Sequence, residues 1–313
     1  MVLIIGIMSI FSGIRWGVGT DFWTYKGIFE GILKGAPEDI EPLFYWLNVV
    51  IRSITADAQV FFIITSIIIN TLIILVLYKR SSDFKFSLFL YVSMGFYLTS
   101  FNILRQFIAM AIMFYVINYK QKIRKLNIII AVIIAMGFHN TSIVMLGLLL
   151  FKENIELRKT IIIIGIISIF AYIFEPIITN FVLSGKYEDY GESIFFSYGT
   201  SMLYVIEYIG LLIFYYIYDN RITEKNKFYL MVVSCGVIFT MLGLKGVLYN
   251  RISIGFNLYN TLLLPNILAS IDNKKEKRLL KYSFYVIYSI KFILILKTAQ
   301  VYNTNFSLFY LSC

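Results

Sequence analysis

The chain has 313 residues, of which 59% are hydrophobic and 15% charged. Its mean hydropathy is +0.78, more apolar surface than one water-soluble core can hide. This composition excludes a soluble enzyme, a nucleic-acid-binding protein and a secreted disulfide scaffold, the last because the only cysteines are Cys235, inside an apolar run, and Cys313. The net charge of +10 therefore reads as lysine and arginine held on the cytoplasmic side of a bilayer.

In chain order, residues 1–14 form an apolar run that is short for a span and lacks the basic lead and cleavage site of a signal peptide; they read as a partial first span. The segment 15–57 is too long for a simple turn. Within it, Pro42-Leu43-Phe44-Tyr45-Trp46-Leu47 predicts an amphipathic or re-entrant helix at the outer interface, where aromatics are favoured. Runs at 58–78, 86–101, 103–118, 160–181, 200–218, 228–244, 252–271 and 282–298 are long enough, or nearly so, to cross about 30 Å of hydrocarbon at about 1.5 Å per residue. They are continuous and lack a two-residue alternation, which marks helices rather than barrel strands. The expected fold is an all-α polytopic membrane domain over residues 1–313, with about 10–12 spanning or half-spanning helices.

The loops give the orientation. Segments 79–85, 119–125, 152–159, 219–227 and 272–281 hold 18 of the 28 basic residues, whereas 15–57 and 186–199 are acidic; the first group belongs inside, the second outside. Reading 126–151 as one span would break this pattern. Two short helices with a break at Phe138-His139-Asn140-Thr141 restore it. Sparse ionisable residues then fall near the outer side: Asp21 after the first span, Arg105 between two spans, His139 at the hairpin tip and Arg251 in the turn before 252–271.

Arginine at membrane depth is expensive, so it has a partner or lines a wet cavity. A guanidinium suits phosphate because its planar fork makes two parallel hydrogen bonds; the plain alternative for Arg105 and Arg251 is snorkelling to headgroups or pairing with Asp21. His139 is the sole histidine, which excludes a multi-histidine metal site. It either serves as a phosphate donor, acid or base, or simply closes the hairpin with Asn140 and Thr141. Asp21 either takes a proton from a sugar hydroxyl or caps the following helix. Tyr25, Tyr45 and Tyr249 are candidates for stacking on sugar rings. No Walker-type loop, HExxH, GxSxG or paired-cysteine motif occurs.

Three segments carry a family resemblance: Gly13-Ile14-Arg15-Trp16-Gly17-Val18-Gly19-Thr20-Asp21 with Tyr25 and Glu41-Pro42-Leu43-Phe44; Arg105-Gln106-Phe107-Ile108-Ala109 with Phe138-His139-Asn140-Thr141-Ser142; and Asn250-Arg251-Ile252 leading to Leu264-Pro265. In this order and spacing the chain, from about residue 13 to 270, resembles the EpsG family of bacterial exopolysaccharide and capsule polymerases, which are Wzy-like in role. The resemblance implies a C-type glycosyltransferase-like architecture with an outward-facing cavity, in the bacterial cytoplasmic membrane. Its substrate would be an undecaprenyl-pyrophosphate-linked oligosaccharide, joined to the next lipid-linked unit with no nucleotide sugar needed; no cofactor is expected, and the outer carboxylates are too scattered to predict a metal. A flippase and a chain-length regulator are the implied partners, and nucleic acid is not one.

For such a reaction, fixed cations aimed at the leaving pyrophosphate lower the barrier. Arg105 and Arg251 take that role, with His139 as an extra donor; Asp21 is the first candidate for the base and Glu41 the second. Arg15, Tyr25, Glu41, Gln106, Asn140, Lys245, Tyr249 and Asn250 complete the substrate-binding set. The alternatives are a polysaccharide ligase using the same donor, and a lipid-linked oligosaccharide flippase, whose charges would line the full membrane depth. A membrane O-acyltransferase is weaker, because it needs histidine chemistry beside a cytoplasmic acyl donor.

Overall fold

The computed structural model describes residues 1–35, 37, 39–119, 124–150, 156–177, 179 and 201–301. Among these the regular elements are all helices: α1 (Val2–Gly13), α2 (Phe22–Gly31), α3 (Pro42–Ile54), α4 (Ala58–Arg80), α5 (Phe84–Ser93), α6 (Phe96–Thr99), α7 (Leu104–Asn118), α8 (Lys125–Met136), α9 (Leu157–Ile173), α10 (Met202–Ile217), α11 (Glu224–Leu242), α12 (Val247–Asn257), α13 (Asn260–Ala269) and α14 (Lys274–Val301), with a 3-10 segment at Asn140–Leu150. Three stretches, Ala58–Arg80, Val247–Ala269 and Lys274–Lys297, are long and apolar enough to cross a membrane. The protein is an all-α polytopic membrane protein. The acidic segment 186–199, residues 120–123 of the basic segment 119–125 and residues 152–155 of 152–159 lie outside the described residues.

Two compact units share the chain, Met1–Leu149 with Arg278–Cys313, and Leu150–Lys277. In the first, α4 is the central strut, with α1 and α7 packed along it and α8 along α7. Asp57 starts α4 by accepting the Gln59 amide at 2.8 Å, and 23 residues carry it about 34 Å at 1.5 Å per residue. At its far end Arg80 donates to the carbonyls of Asn118 and Tyr119, both at 2.6 Å. Those oxygens are the orphan acceptors of the α7 C-terminus, where a cation also meets the negative end of the helix dipole. The C-terminal ends of α4 and α7, each followed by a basic segment, are thus fastened together. Lys281 of α14 reaches Asp83, before α5, at 2.5 Å, so a third basic segment joins this end.

The second unit is built round α11, which α9, α10, α12 and α13 contact. Within it Tyr215 donates to Asn260 at 2.7 Å, Asn257 to Thr240 at 3.1 Å and Asn266 to Asn226 at 3.1 Å, each satisfying a polar group that would be costly to bury alone.

Several elements differ from the sequence reading. The run 86–101 splits into α5 and α6 at Gly95, whose φ of +96° takes the left-handed conformation that glycine adopts without steric penalty. The run 252–271 begins five residues early, directly after Gly246, and turns at Leu258 and Tyr259. Arg251 therefore lies inside α12 rather than in the turn before a span, because the apolar Val247, Leu248 and Tyr249 are recruited into its first turn.

Candidate functional site

The candidate site occupies the end of the first unit where α4 and α7 begin, opposite the Arg80 tie. Its floor is aromatic. Helix α2 buries Phe22, Tyr25 and Phe29 on one face, the i, i+3, i+7 spacing of a helical stripe. Phe22 stacks on Phe62 at 4.5 Å between ring centroids and Phe29 on Phe61 at 5.1 Å.

Two glycines bring the chain segments together. Gly19 has φ +99°, and a Cβ there would stand 2.5 Å from Asn102 Oδ1 and 3.2 Å from the Phe101 carbonyl oxygen. This close approach lets the Thr20 amide donate to Asn102 Oδ1 at 2.9 Å, tying the 17–21 loop to the turn ahead of α7. Gly137 follows α8, and its carbonyl accepts the amides of Leu43 at 2.7 Å and Phe44 at 3.1 Å. Those are two of the first N–H groups of α3, which have no partner within their own helix; a Cβ on Gly137 would collide with the Leu43 side chain.

Because Gly137 satisfies the start of α3, Glu41 at the N-cap position makes no capping hydrogen bond. Its side chain turns to three other donors. Arg105 Nη1 donates to Oε2 at 2.8 Å, His139 Nδ1 lies 3.0 Å from Oε1, and the Asn140 amide donates to Oε1 at 3.4 Å. Glu41 is 6% exposed, against 27% for Arg105 and 24% for His139, so the carboxylate is the buried hub and its partners reach outward. Burial opposes ionisation of Glu41, but the hydrogen bond from His139 and the charge of Arg105 outweigh it and hold the pKa below the ordinary carboxylate value.

Arg105 also donates Nη1 to the Asp39 carbonyl at 3.0 Å and stands over the Phe44 ring at 5.9 Å. Its backbone N–H donates to the Tyr25 hydroxyl at 3.4 Å. Burial pushes the Tyr25 phenol above its ordinary value, against the charge of Arg105, so it remains protonated at neutral pH. With Nη1 spent on Glu41 and Asp39, Nε and Nη2 of Arg105 have no partner among the described residues.

Of the sequence-derived residues, Tyr25, Glu41, Arg105, His139 and Asn140 thus converge. Asp21 precedes α2 without capping it and accepts the Thr20 hydroxyl at 3.1 Å. Gln106 is buried one residue beyond Arg105. Arg15 is buried between rings, 4.6 Å from Phe62 and 5.1 Å from Phe101, and donates to the Ser12 carbonyl at 2.5 Å, which places it at the C-terminal end of α1. Desolvation lowers its pKa to about 10, still a cation at neutral pH.

In the second unit, Tyr249 meets Thr179 at 2.7 Å between hydroxyls, and Thr179 donates to Glu175. Lys245 stands over the Tyr172 ring at 4.9 Å. Asn250 accepts the Ser253 hydroxyl on its carbonyl at 2.8 Å, and Arg251 is half-buried one residue later. The sequence reading missed Glu175, Thr179 and Asn102. Glu175 carried a usable signal, since a lone carboxylate in an apolar run needs a partner. Asn102 carried a weaker one, as the polar residue in the break before α7. Among the described residues no three His, Cys, Asp or Glu side chains gather as a metal group would require.

The first unit of this polytopic helical membrane protein thus gathers a cation, an imidazole and a buried carboxylate at one end, polar groups that in a membrane protein need partners of this kind. The chain belongs to the EpsG family, whose model matches residues 1–310, well beyond the 13–270 that the motifs alone mark. It is accordingly a membrane protein of the polysaccharide-polymerase type. No curated protein and no solved structure matches it.

Proposed function

We propose that this protein joins undecaprenyl-pyrophosphate-linked oligosaccharide repeat units into exopolysaccharide or capsule, at the outer face of a bacterial cytoplasmic membrane. The observation that carries the reading is the Arg105–Glu41–His139 cluster. A guanidinium with two donors to spare, held by a buried carboxylate, can receive the charge that grows on a leaving pyrophosphate. Arg251 is assigned a phosphate-donor role on its sequence alone.

The orientation is supported by the arrangement of the first unit, where the cluster and the Arg80 end lie at opposite ends of α4 and α7 and basic segments stay inside. A cysteine at Lys34 should be labelled from outside intact cells and one at Ser82 only after permeabilisation; the reverse pattern would turn the site inward. The decisive assay is turnover of a synthetic lipid-pyrophosphate oligosaccharide by the purified protein. Released lipid pyrophosphate and a lengthened glycan are expected, and substrate merely moved between leaflets would identify a flippase instead.

A further inference from the structure

We infer that Glu41 fixes His139 in a single tautomer, with Nδ1–H toward the carboxylate and Nε2 left as an open lone pair, and that Nε2 takes the proton of the attacking sugar hydroxyl. The proton-transfer half of this inference rests on the polymerase reading above; the tautomer half does not.

An ionised carboxylate can only accept hydrogen bonds, and Glu41 is held in its ionised form by its partners. The 3.0 Å contact of His139 Nδ1 with Oε1 therefore requires the hydrogen on Nδ1. In a neutral imidazole the other nitrogen is then an acceptor. Nε2 has no partner among the described residues, and the side chain keeps an accessible edge of 24%.

The other carboxylates serve less well. Both oxygens of Glu41 are occupied, Oε2 by Arg105 and Oε1 by His139 and the Asn140 amide, so using it as a base would break the hub. Asp21 already accepts a hydroxyl from Thr20. His139, in contrast, keeps Nε2 without a partner among the described residues. The imidazolium formed by protonation there faces a carboxylate at hydrogen-bond distance, the arrangement by which a buried acid supports a histidine base without being protonated itself. Glu41 is thus a positioning residue, and since its second oxygen holds Arg105, one side chain sets the spacing between proton acceptor and phosphate-binding cation. The charged and titratable groups around it are Arg105 from α7, Tyr25 from α2 through the Arg105 amide, and Glu41 itself ahead of α3.

The acceptor hydroxyl oxygen bonds to the anomeric carbon of the donor sugar, while the bond from that carbon to the pyrophosphate oxygen breaks. Its electron pair leaves with the lipid pyrophosphate, which gains one negative charge. The hydroxyl proton goes to Nε2 and passes from the imidazolium to water as the site resets.

His139 is the sole histidine, so the full-length protein labelled with 15N-histidine in lipid nanodiscs gives the signals of one imidazole. At the pH of full activity the expected spectrum shows Nδ1 protonated and Nε2 unprotonated, and this pattern is lost in Glu41→Gln. Alongside it, Glu41→Gln should lower kcat by roughly 10²–10³-fold and displace the acid limb of the pH–rate profile, with Glu41→Asp recovering part of both. A wild-type spectrum with the hydrogen on Nε2 overturns the assignment even in a protein that polymerises. Unchanged turnover and pH profile in Glu41→Gln, or full activity in His139→Gln, overturns the proton transfer. If the wild type has the expected tautomer but never turns over the lipid-pyrophosphate oligosaccharide, the polymerase reading falls together with the proton's destination, and the tautomer stands.

Discussion

The two units solve the same problem, a carboxylate buried beside apolar helices, in different ways. In the first, Glu41 is matched by a guanidinium and an imidazole drawn from positions 64 and 98 residues away. In the second, Glu175 is matched by a hydroxyl four residues on, which in turn meets Tyr249. Ionic matching over long sequence separation demands that three segments be held still, and the fold spends two close-packed glycines on it. Hydroxyl matching within one helical turn needs no such scaffold. The difference separates a cluster whose charges are available for chemistry from one whose groups satisfy each other.

The sharpest way to break this contrast is to remove the guanidinium. Arg105→Ala should lower glycan polymerisation by about 10²–10³-fold, the usual cost of losing one preorganised donor. It should also cost on the order of 2 kcal/mol of stability by leaving Glu41 buried without its cation. Normal polymer length in cells expressing this variant would dismiss the site.

Next come the glycines. Gly137→Ala drives a methyl into Leu43, displacing the start of α3 and with it Glu41. Overpacking of this kind costs about 1–3 kcal/mol, and turnover should fall roughly tenfold from misplacement of reacting groups, although no charged residue is altered. Gly19→Ala, strained by its positive φ and its contact with Asn102, should lower the thermal midpoint by a similar margin. Alanine at Gly27, within α2 and with a Cβ that meets nothing, should instead raise the midpoint slightly, by the roughly 0.5–1 kcal/mol that helical glycine costs relative to alanine.

A pH titration sharpens the comparison further. The folded-state pKa of Glu41 is depressed below its ordinary value of 4.5. The stability it contributes is therefore fully present above that value and is lost as pH falls through the depressed one. Acid unfolding followed by intrinsic fluorescence should show this loss below pH 4.5, and Glu41→Gln should flatten it. The smallest effect belongs to the second unit. Tyr249→Phe removes one neutral hydrogen bond, so it should cost about 1 kcal/mol and leave the pH profile of turnover where it was. A displaced profile would show that the hydroxyl cluster takes part in proton handling after all.

Much of the first-unit site was legible in the sequence, because lone polar residues at the ends of apolar runs stand out there. Arg105 and His139 announce themselves by chemical rarity, whereas Glu41 is one of several acidic residues in 15–57 and is marked only by the Glu41-Pro42-Leu43-Phe44 motif. What sequence could not show is that Glu41 stands between the other two. That depends on Gly137 lying under Leu43, a steric relation between residues 94 positions apart that leaves no periodic trace. The early start of α12 was hidden for the opposite reason: Val247 and Leu248 are ordinary apolar residues whose helical state is decided by packing against α11. Arg15 illustrates a third limit. Its charge marks it as a ligand-binding residue, yet the rings of Phe62 and Phe101 that enclose it come from elements 47 and 86 residues on.

The double bond to the Gly137 carbonyl has a mechanical consequence. Pulling α3 off the end of α8 would leave two amides unsatisfied at once, and a buried backbone group without a partner costs several kcal/mol. The two elements are therefore obliged to travel as one piece. Any motion at this end must swing α3 and the end of α8 together, carrying the carboxylate and the imidazole along in unbroken register.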